Sequence, residues 1–142
     1  MRLPLGLAVL LLAVEAAPAA ASAAGYDPEK LDLYVNVVLT EAAGENLMGQ
    51  TAVAEVLRNR GWDTRGFCGL QRKNLREFLK AEASRRHAAQ RAIRAALNGS
   101  NVSRGATHYE NVLKYGAPRW AAGMAVTTRV GRHTFYTDRG NT

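Results

Sequence analysis

The chain has 142 residues, with 19 Lys or Arg against 12 Asp or Glu, and a net charge of +7 at pH 7. This length is enough for one domain with a modest core, and the single cysteine, Cys68, excludes an internal disulfide. We therefore expect stability from packing alone and interpret Cys68 as a small buried side chain. The charge favours a polyanionic partner, such as nucleic acid, anionic lipid or an acidic wall polymer, without choosing among them.

The N-terminus has the pattern of a secretory signal. Met1-Arg2 precedes an apolar run over residues 3–14, and Ala21-Ser22-Ala23 is a small-x-small cleavage pattern. The apolar run is too short to span a membrane comfortably. We predict that residues 1–23 are a secretory signal segment and that residues 24–142 form one exported domain, acting in the periplasm or cell wall. Contact with a membrane is expected only through the signal segment, if it stays uncleaved.

Helical patterns follow. Asp27-Pro28-Glu29 has the residues of a helix start, and the apolar pattern behind it continues to about Ala42. Three further helices are predicted from their apolar periodicity and from capping residues, with a loop over 61–73. They run from about Gly49 to Arg60, over a short segment after Asn74, and from Ser84 to about Leu97.

Glu41 stands out in the first of these helices. It lies off the polar stripe of that helix, in line with Tyr34 and Val38 on the apolar side. A sheltered carboxyl group costs free energy unless it is paired, hydrogen-bonded or used, and burial favours its protonated form. A protonated carboxyl is what a general acid needs, so Glu41 is the candidate catalytic acid. Glu45, beyond Gly44, is interpreted as a solvated acid at the helix end.

After Gly99 the pattern changes to short strands. Aromatic residues, Thr and Val alternate in ATHYEN (106–111) and in AVTTRVGRHTFYT (125–137), and Val130-Gly131-Arg132 is a plausible hairpin centre. The expected fold class is therefore α+β, a mostly helical single domain with a small C-terminal antiparallel sheet.

Histidines and aromatic residues are concentrated in these strands. His108 and His133 can serve structural hydrogen bonds, a substrate site or, less readily, a metal, since the histidines include no close pair at metal-ligand spacing. The aromatic side chains can form a core or the wall of a groove on which sugars or bases pack. They are Tyr109, Tyr115, Trp120, Phe135 and Tyr136.

Three stretches in this order and spacing resemble one enzyme family. They are TEAAGENLMGQTAVAEVLRNR (40–60), GATHYEN (105–111) with APRWA (117–121), and VGRHTFYT (130–137). They are similar to the motifs E-A-x-G-E, G-Q-x-A-V-A-x-V-x-x-N-R, G-A-T-H-[FY] and G-x-H-x-F-Y of the SleB-type cell-wall hydrolases, typified by the spore cortex-lytic enzyme. Ala43 departs from the Arg common in the first motif. The family's Gln-Phe-Ser segment has at best a weak counterpart in residues 77–79, which leaves the role of residues 61–82 open.

The resemblance implies a lysozyme-like catalytic domain that cleaves peptidoglycan glycan strands, with Glu41 as the catalytic acid. Members are thought to act as lytic transglycosylases, which need one essential carboxyl, although the family has also been labelled as amidases. The residues expected to line the groove and hold the sugars are Glu45, His108, Tyr109, Trp120, His133 and Tyr136. We expect a monomer that needs no metal or other cofactor and binds no nucleic acid.

Other functions stay open at this point. A metal-dependent amidase that releases stem peptides from muramic acid would use the histidines as zinc ligands and Glu41 as the base. A non-enzymatic basic module would bind the wall through charge alone. A hydrolytic glycosidase would need a second carboxylate across the bond, for which Glu45, Glu110 and Asp138 are the candidates.

Overall fold

The computed structural model of the protein describes residues 19–141. The α-helices are α1 (Ala19–Ser22), α2 (Leu31–Ala42), α3 (Leu47–Asn59), α4 (Leu75–Ala81), α5 (Arg86–Leu97) and α6 (Val112–Tyr115), and the strands are β1 (His108–Glu110), β2 (Met124–Val130) and β3 (His133–Asp138). Most of the predicted signal segment, residues 1–18, lies outside the described residues, so the boundary at residue 23 stays a prediction. Within residues 19–141, no helix is long and apolar enough to cross a membrane.

The helix starts follow local capping chemistry. The Asp27 side chain accepts a hydrogen bond from the Glu29 N–H (3.0 Å), and Pro28 opens a 3-10 turn that leads into α2. The Asn46 side chain accepts from the Gly49 N–H (3.0 Å), so α3 begins at Leu47, before the predicted start. Ser84 does not cap α5, because residues 83–85 form their own 3-10 turn and the helix begins at Arg86.

The core lies around α3, which α2 and α5 cover. Every residue of α3 from Gly49 to Leu57 is buried. The side chains that α5 turns inward are mostly small. Ala89, Ala92 and Ala96 are buried and allow α5 to approach α3 closely. An aromatic group of Tyr26, Tyr34 and Trp62 closes one end of the core.

Trp62 also ties the N-terminal segment to the domain. Its indole N–H is buried and donates to the backbone carbonyl of Ser22, at 3.0 Å. Ser22, the last residue of α1, is itself buried. Residues just before the predicted cleavage point therefore pack on the folded domain.

The small sheet has the strand order β1-β3-β2, with both pairs antiparallel. Gly131 and Arg132 form the predicted hairpin turn between β2 and β3. β3 is the central strand, and it pairs His108 with Tyr136 and Tyr109 with Phe135. The sequence-based fold class, α+β with a mostly helical body and a C-terminal antiparallel sheet, is confirmed.

A buried carboxylate that the sequence did not single out positions β1. Glu55 on α3 is fully buried and accepts hydrogen bonds from the Ser100 hydroxyl (2.6 Å) and from the N–H groups of Val102 (2.9 Å) and Ser103 (2.6 Å). Arg58 lies beside it and donates to the Ser100 carbonyl. Burial lowers the pKa of Arg58, and the charge of Glu55 opposes that shift. This network fixes the loop that delivers β1 to the sheet.

Candidate active site

Glu41 lies at the C-terminal end of α2, partly buried, with both carboxylate oxygens engaged. Oε1 accepts a hydrogen bond from the backbone N–H of Gly69 at 2.8 Å. Oε2 accepts from the hydroxyl of Tyr109 at 2.8 Å. A helix, a loop and a strand that are remote in sequence therefore hold one carboxyl group in place.

The turn that carries Gly69 adds a contact that the sequence did not predict, and it shows that one expectation, the burial of Cys68, is wrong. The loop over 61–73 contains a 3-10 turn, Cys68–Gln71, that packs on α2 and supplies the N–H to Glu41. A Cβ atom at Gly69 would lie 2.6 Å from the Thr40 side chain and 2.9 Å from Glu41 Oε1, so only glycine allows this approach. Cys68 is exposed rather than buried, because the turn presents its side chain to a cleft beside Glu41.

Tyr109 is the partner that β1 contributes. Its ring packs edge-on against His133, with ring centroids 5.1 Å apart. It also lies tilted against Phe135, with centroids 5.7 Å apart. Burial, followed by the nearby charge of Glu41 and the hydrogen bond to it, raises the pKa of Tyr109 well above its ordinary value. The phenol therefore keeps its proton over the physiological pH range.

Two clefts meet at Glu41. The first, here the Trp120 cleft, has a volume of about 310 Å³, and the second, the His133 cleft, about 320 Å³. Glu41, Tyr109 and Glu110 line both of them. The two clefts together form a groove, and the carboxyl group of Glu41 lies at its middle.

Aromatic side chains form the wall of the Trp120 cleft. The ring of Trp120 is 42% exposed and stands 5.3 Å from the ring of His108 and 5.3 Å, edge-on, from that of Tyr136. His108 lines the cleft with Trp120, whereas Tyr136 is buried and lines neither cleft. Tyr136 therefore supports the Trp120 ring from below.

Arg60 also lines the Trp120 cleft. From the sequence it was identified only as the end of a predicted helix, not as a site residue. Its guanidinium donates to the Arg65 carbonyl at 2.8 Å and lies 4.7 Å from the centre of the Phe67 ring. Arg60 directly follows α3, and its guanidinium lines the same cleft as Glu41. The Asn-Arg pair at the end of the family motif (residues 59–60) is the sequence signal that could have identified Arg60 as a site residue.

Glu45 and His133 line the other cleft. The Glu45 side chain is only 8% exposed, so its interpretation as a solvated acid is wrong. It pairs with Arg132 at 3.1 Å, and it fits beneath the hairpin because Gly131 has no Cβ to collide with it. His133 Nδ1 lies 3.7 Å from Glu45 Oε1, beyond hydrogen-bond distance. Burial lowers the pKa of His133, although the charges of Glu45 and Glu41 oppose the shift.

The remaining acidic candidates differ in position. Glu110 lines both clefts, and its Oε1 accepts from the N–H of Asn111 at 2.8 Å. Asp138 is exposed at the end of β3 and lines neither cleft. Among residues 19–141, no three His, Cys, Asp or Glu side chains are grouped as metal ligands, and His108 and His133 line different clefts.

Comparison with known proteins decides the family. Residues 44–136, more than half of the chain, match the family described as Cell Wall Hydrolase. The chain belongs to this family. The crystal structure of the catalytic domain of the Bacillus cereus SleB protein is similar to this cell wall hydrolase, with a TM-score of 0.56 and 25% sequence identity. That similarity covers 79% of this chain and 92% of the other. No curated protein matches the sequence.

The resemblance to SleB-type cell-wall hydrolases is thus confirmed, and the protein is a hydrolase of peptidoglycan, the polymer of the bacterial wall. Because that polymer lies outside the cytoplasmic membrane, the enzyme acts extracytoplasmically. The family match begins at Gly44, three residues after Glu41. The role of Glu41 therefore depends on the geometry of the groove.

Proposed function

We propose that this cell wall hydrolase cleaves the glycan strand of peptidoglycan between N-acetylmuramic acid and N-acetylglucosamine, as a lytic transglycosylase. The observation that carries the proposal is the place of Glu41, held by two hydrogen bonds where the two clefts meet. A strand lying along the whole groove crosses Glu41 at its middle, where a bond between two sugars can be reached. Positioning of this kind supplies much of the catalytic effect in enzymes.

The two partners of Glu41 suit a group that must lose and regain a proton. The Gly69 N–H can only donate, so Oε1 stays an acceptor. The Tyr109 hydroxyl can donate or accept, so it serves Oε2 whether that oxygen is charged or carries the proton. The raised pKa of Tyr109 keeps this hydroxyl neutral in both states.

In the first step, Glu41 gives its proton to the oxygen that joins the two sugars. The bond between that oxygen and the muramic anomeric carbon breaks, and positive charge develops on the carbon. The N-acetylglucosamine side leaves with a free hydroxyl group. The new carboxylate of Glu41 is then stabilised by the hydrogen bonds from Gly69 and Tyr109.

In the second step, the O6 hydroxyl of the muramic residue closes on the anomeric carbon. Glu41 takes the O6 proton, so a 1,6-anhydro ring forms and the carboxyl group regains its starting state. No water is consumed, and one carboxyl group serves both steps. His108, Trp120 and His133 line the groove on either side and would hold the sugars.

Hydrolysis of the same bond is the second candidate, and the position of Glu110 favours it. A water molecule would replace O6 as the nucleophile and would need a second carboxylate as its base. Glu110 shares both clefts with Glu41, whereas Glu45 is paired with Arg132 and Asp138 lines neither cleft. The chemical nature of the new muramic end distinguishes the two reactions.

The test is a digest of purified peptidoglycan, with the new ends identified by mass spectrometry. We expect anhydro-muramic ends from the wild type, none from Glu41→Gln, and no effect of a chelator. Glu77→Gln is the matched control, since Glu77 is an exposed acid on α4, and it should cut like the wild type.

Three other results would each point elsewhere. Reducing muramic ends that disappear in Glu110→Gln would establish hydrolysis with Glu110 as the base. Free stem peptides lost on chelation would establish the metal-dependent amidase and move the chemistry to the histidines. Binding to the wall without any cleavage would contradict the proposed glycan cleavage and favour a basic module that binds the wall through charge.

A further inference from the structure

The segment between β1 and β2 carries exposed apolar surface beside the groove. It includes α6, a single turn closed by the Asn111 side chain, which accepts from the Lys114 N–H at 3.2 Å. No residue of α6 is buried. Leu113 is 91% exposed and Tyr115 is 67% exposed. Large exposed apolar side chains at the edge of a cleft are typical of a binding surface.

Tyr115 lines the His133 cleft, and Trp120 lines the Trp120 cleft in a similar way. Each contributes an exposed aromatic ring to one of the two clefts that meet at Glu41. Flat aromatic rings bury the apolar face of a sugar while leaving its hydroxyl groups in water. The groove therefore has one exposed ring on each side of the carboxyl group.

A cation lies directly beside the Tyr115 ring. The Lys114 ammonium lies 5.0 Å from the centre of the Tyr115 ring and lines the same cleft. Arg132, the other strong base of this cleft, is paired with Glu45, and the lowered pKa of His133 favours its neutral form. In residues 19–141, Lys114 has no carboxylate within ion-pair distance. The cleft thus offers a cation that has no carboxylate partner in the described part of the chain, next to an exposed ring.

We propose that Tyr115 and Lys114 form a subsite for a muramic residue that carries its stem peptide, and this inference rests on the proposed glycan-strand cleavage. Tyr115 packs against the sugar ring, and Lys114 pairs with a carboxylate of the stem. N-acetylglucosamine carries no charge, so the cation distinguishes peptide-bearing muramic residues from the other sugar. Strands whose stem peptides carry free carboxylates are therefore the preferred substrate.

Binding to intact peptidoglycan sacculi tests the subsite without turnover. All variants are made in the Glu41→Gln protein and sedimented with intact sacculi or with sacculi whose stem-peptide carboxylates have been converted to amides by carbodiimide coupling. Tyr115→Ala should weaken binding to both materials about tenfold, as expected for the loss of one aromatic contact. Lys114→Gln should weaken binding about threefold to intact sacculi and leave binding to the amidated sacculi unchanged.

Leu113→Ala is the matched control, because Leu113 lies on the same helical turn and lines neither cleft. Since α6 buries no residue, all three variants should keep the circular dichroism of the parent. Equal binding by Tyr115→Ala and Leu113→Ala would overturn the aromatic part of the subsite. Equal weakening by Lys114→Gln on both materials would overturn recognition of the stem peptide.

Activity of the proteins with Glu41 intact separates this inference from the proposed function. A wild type that produces no new glycan ends contradicts the glycan-cleaving reaction itself. A wild type that cuts, with a KM that neither Tyr115→Ala nor Lys114→Gln raises, contradicts the subsite alone. The expected result is a raised KM on intact strands with kcat nearly unchanged, because contacts to a sugar and its stem outside the reacting bond are made equally in the bound substrate and in the transition state.

Discussion

The hydroxyl of Tyr109 lies 2.8 Å from Oε2 of Glu41, although the two residues are 68 positions apart in the chain. This contact joins the helical body to the small sheet at the middle of the groove. It also gives the carboxyl group a partner that can donate or accept.

Tyr109→Phe should therefore lower kcat while leaving the fold intact. The variant keeps the ring that packs against His133 and Phe135 and loses only the hydroxyl. A hydrogen bond to a charged group contributes about 1.5–3 kcal/mol, which corresponds to a loss of about 10- to 100-fold in kcat. Release of soluble muropeptides measures it, and an unchanged rate would mean that Tyr109 does not assist Glu41.

Gly69→Ala should lower activity through backbone displacement. The added methyl group would collide with the Thr40 side chain and with Glu41 Oε1, so the turn must shift and the N–H must leave the carboxylate. We expect kcat to fall at least tenfold, by about the contribution of one charge-assisted hydrogen bond. Gly140→Ala is the control, because its Cβ would meet no atom within 4 Å. Equal activity of the two variants would contradict a role for the turn.

Glu55→Gln should destabilise the protein, although Glu55 itself lines neither cleft. The amide that replaces one carboxylate oxygen cannot accept from donors such as the N–H groups of Val102 and Ser103. Loss of these buried bonds should cost about 3 kcal/mol in the free energy of unfolding. Urea denaturation measures it against Glu77→Gln, which should be within about 0.5 kcal/mol of the wild type. A small effect for Glu55→Gln would mean that the loop is held by packing.

His133 should make stability depend on pH. Burial holds its pKa in the folded protein below the unfolded value of about 6.5, so the unfolded chain binds the proton more readily. Stability from this residue is then complete above about pH 6.5 and falls as the pH drops below it. The negative charges of Glu45, Glu41 and Glu110 limit the size of the loss, whereas the positive charge of Arg132 adds to it.

Thermal unfolding between pH 7.5 and pH 5 measures this effect. His133→Asn should unfold with a flatter dependence on pH than the wild type. His87→Gln, a change of an exposed residue on α5, should keep the wild-type slope. Identical slopes for all three proteins would assign the acid sensitivity to other groups.

Local pattern was enough to predict much of this structure. Helical periodicity and capping residues located α2, and alternation with a central Gly131 located the β2–β3 hairpin. Glu41 was singled out as a candidate because it departs from the polar stripe of its own helix, and its catalytic role stays a proposal. Each of these signals lies within one element, where residue type and spacing determine the outcome.

The missed features depend on contacts between distant segments. The N–H of Gly69 is a backbone group, which has no side-chain signature in a sequence. Glu45 is buried only because Gly131, far along the chain, leaves room above it. Cys68 was expected inside because cysteines usually are, but the turn that carries it faces the cleft.

The bond between the Trp62 indole and the Ser22 carbonyl links export to folding. Cleavage after Ala23, the predicted point, would remove the acceptor and leave a buried donor unsatisfied, at a cost of about 1–3 kcal/mol. A protein that begins at Ser22 should therefore melt at a higher temperature than one that begins at Ala24. Trp62→Phe should abolish the difference, and equal melting of the first two would mean that another group accepts the bond. If the predicted signal segment is removed, the position of the cut, one side or the other of Ser22, would decide how long the folded enzyme lasts.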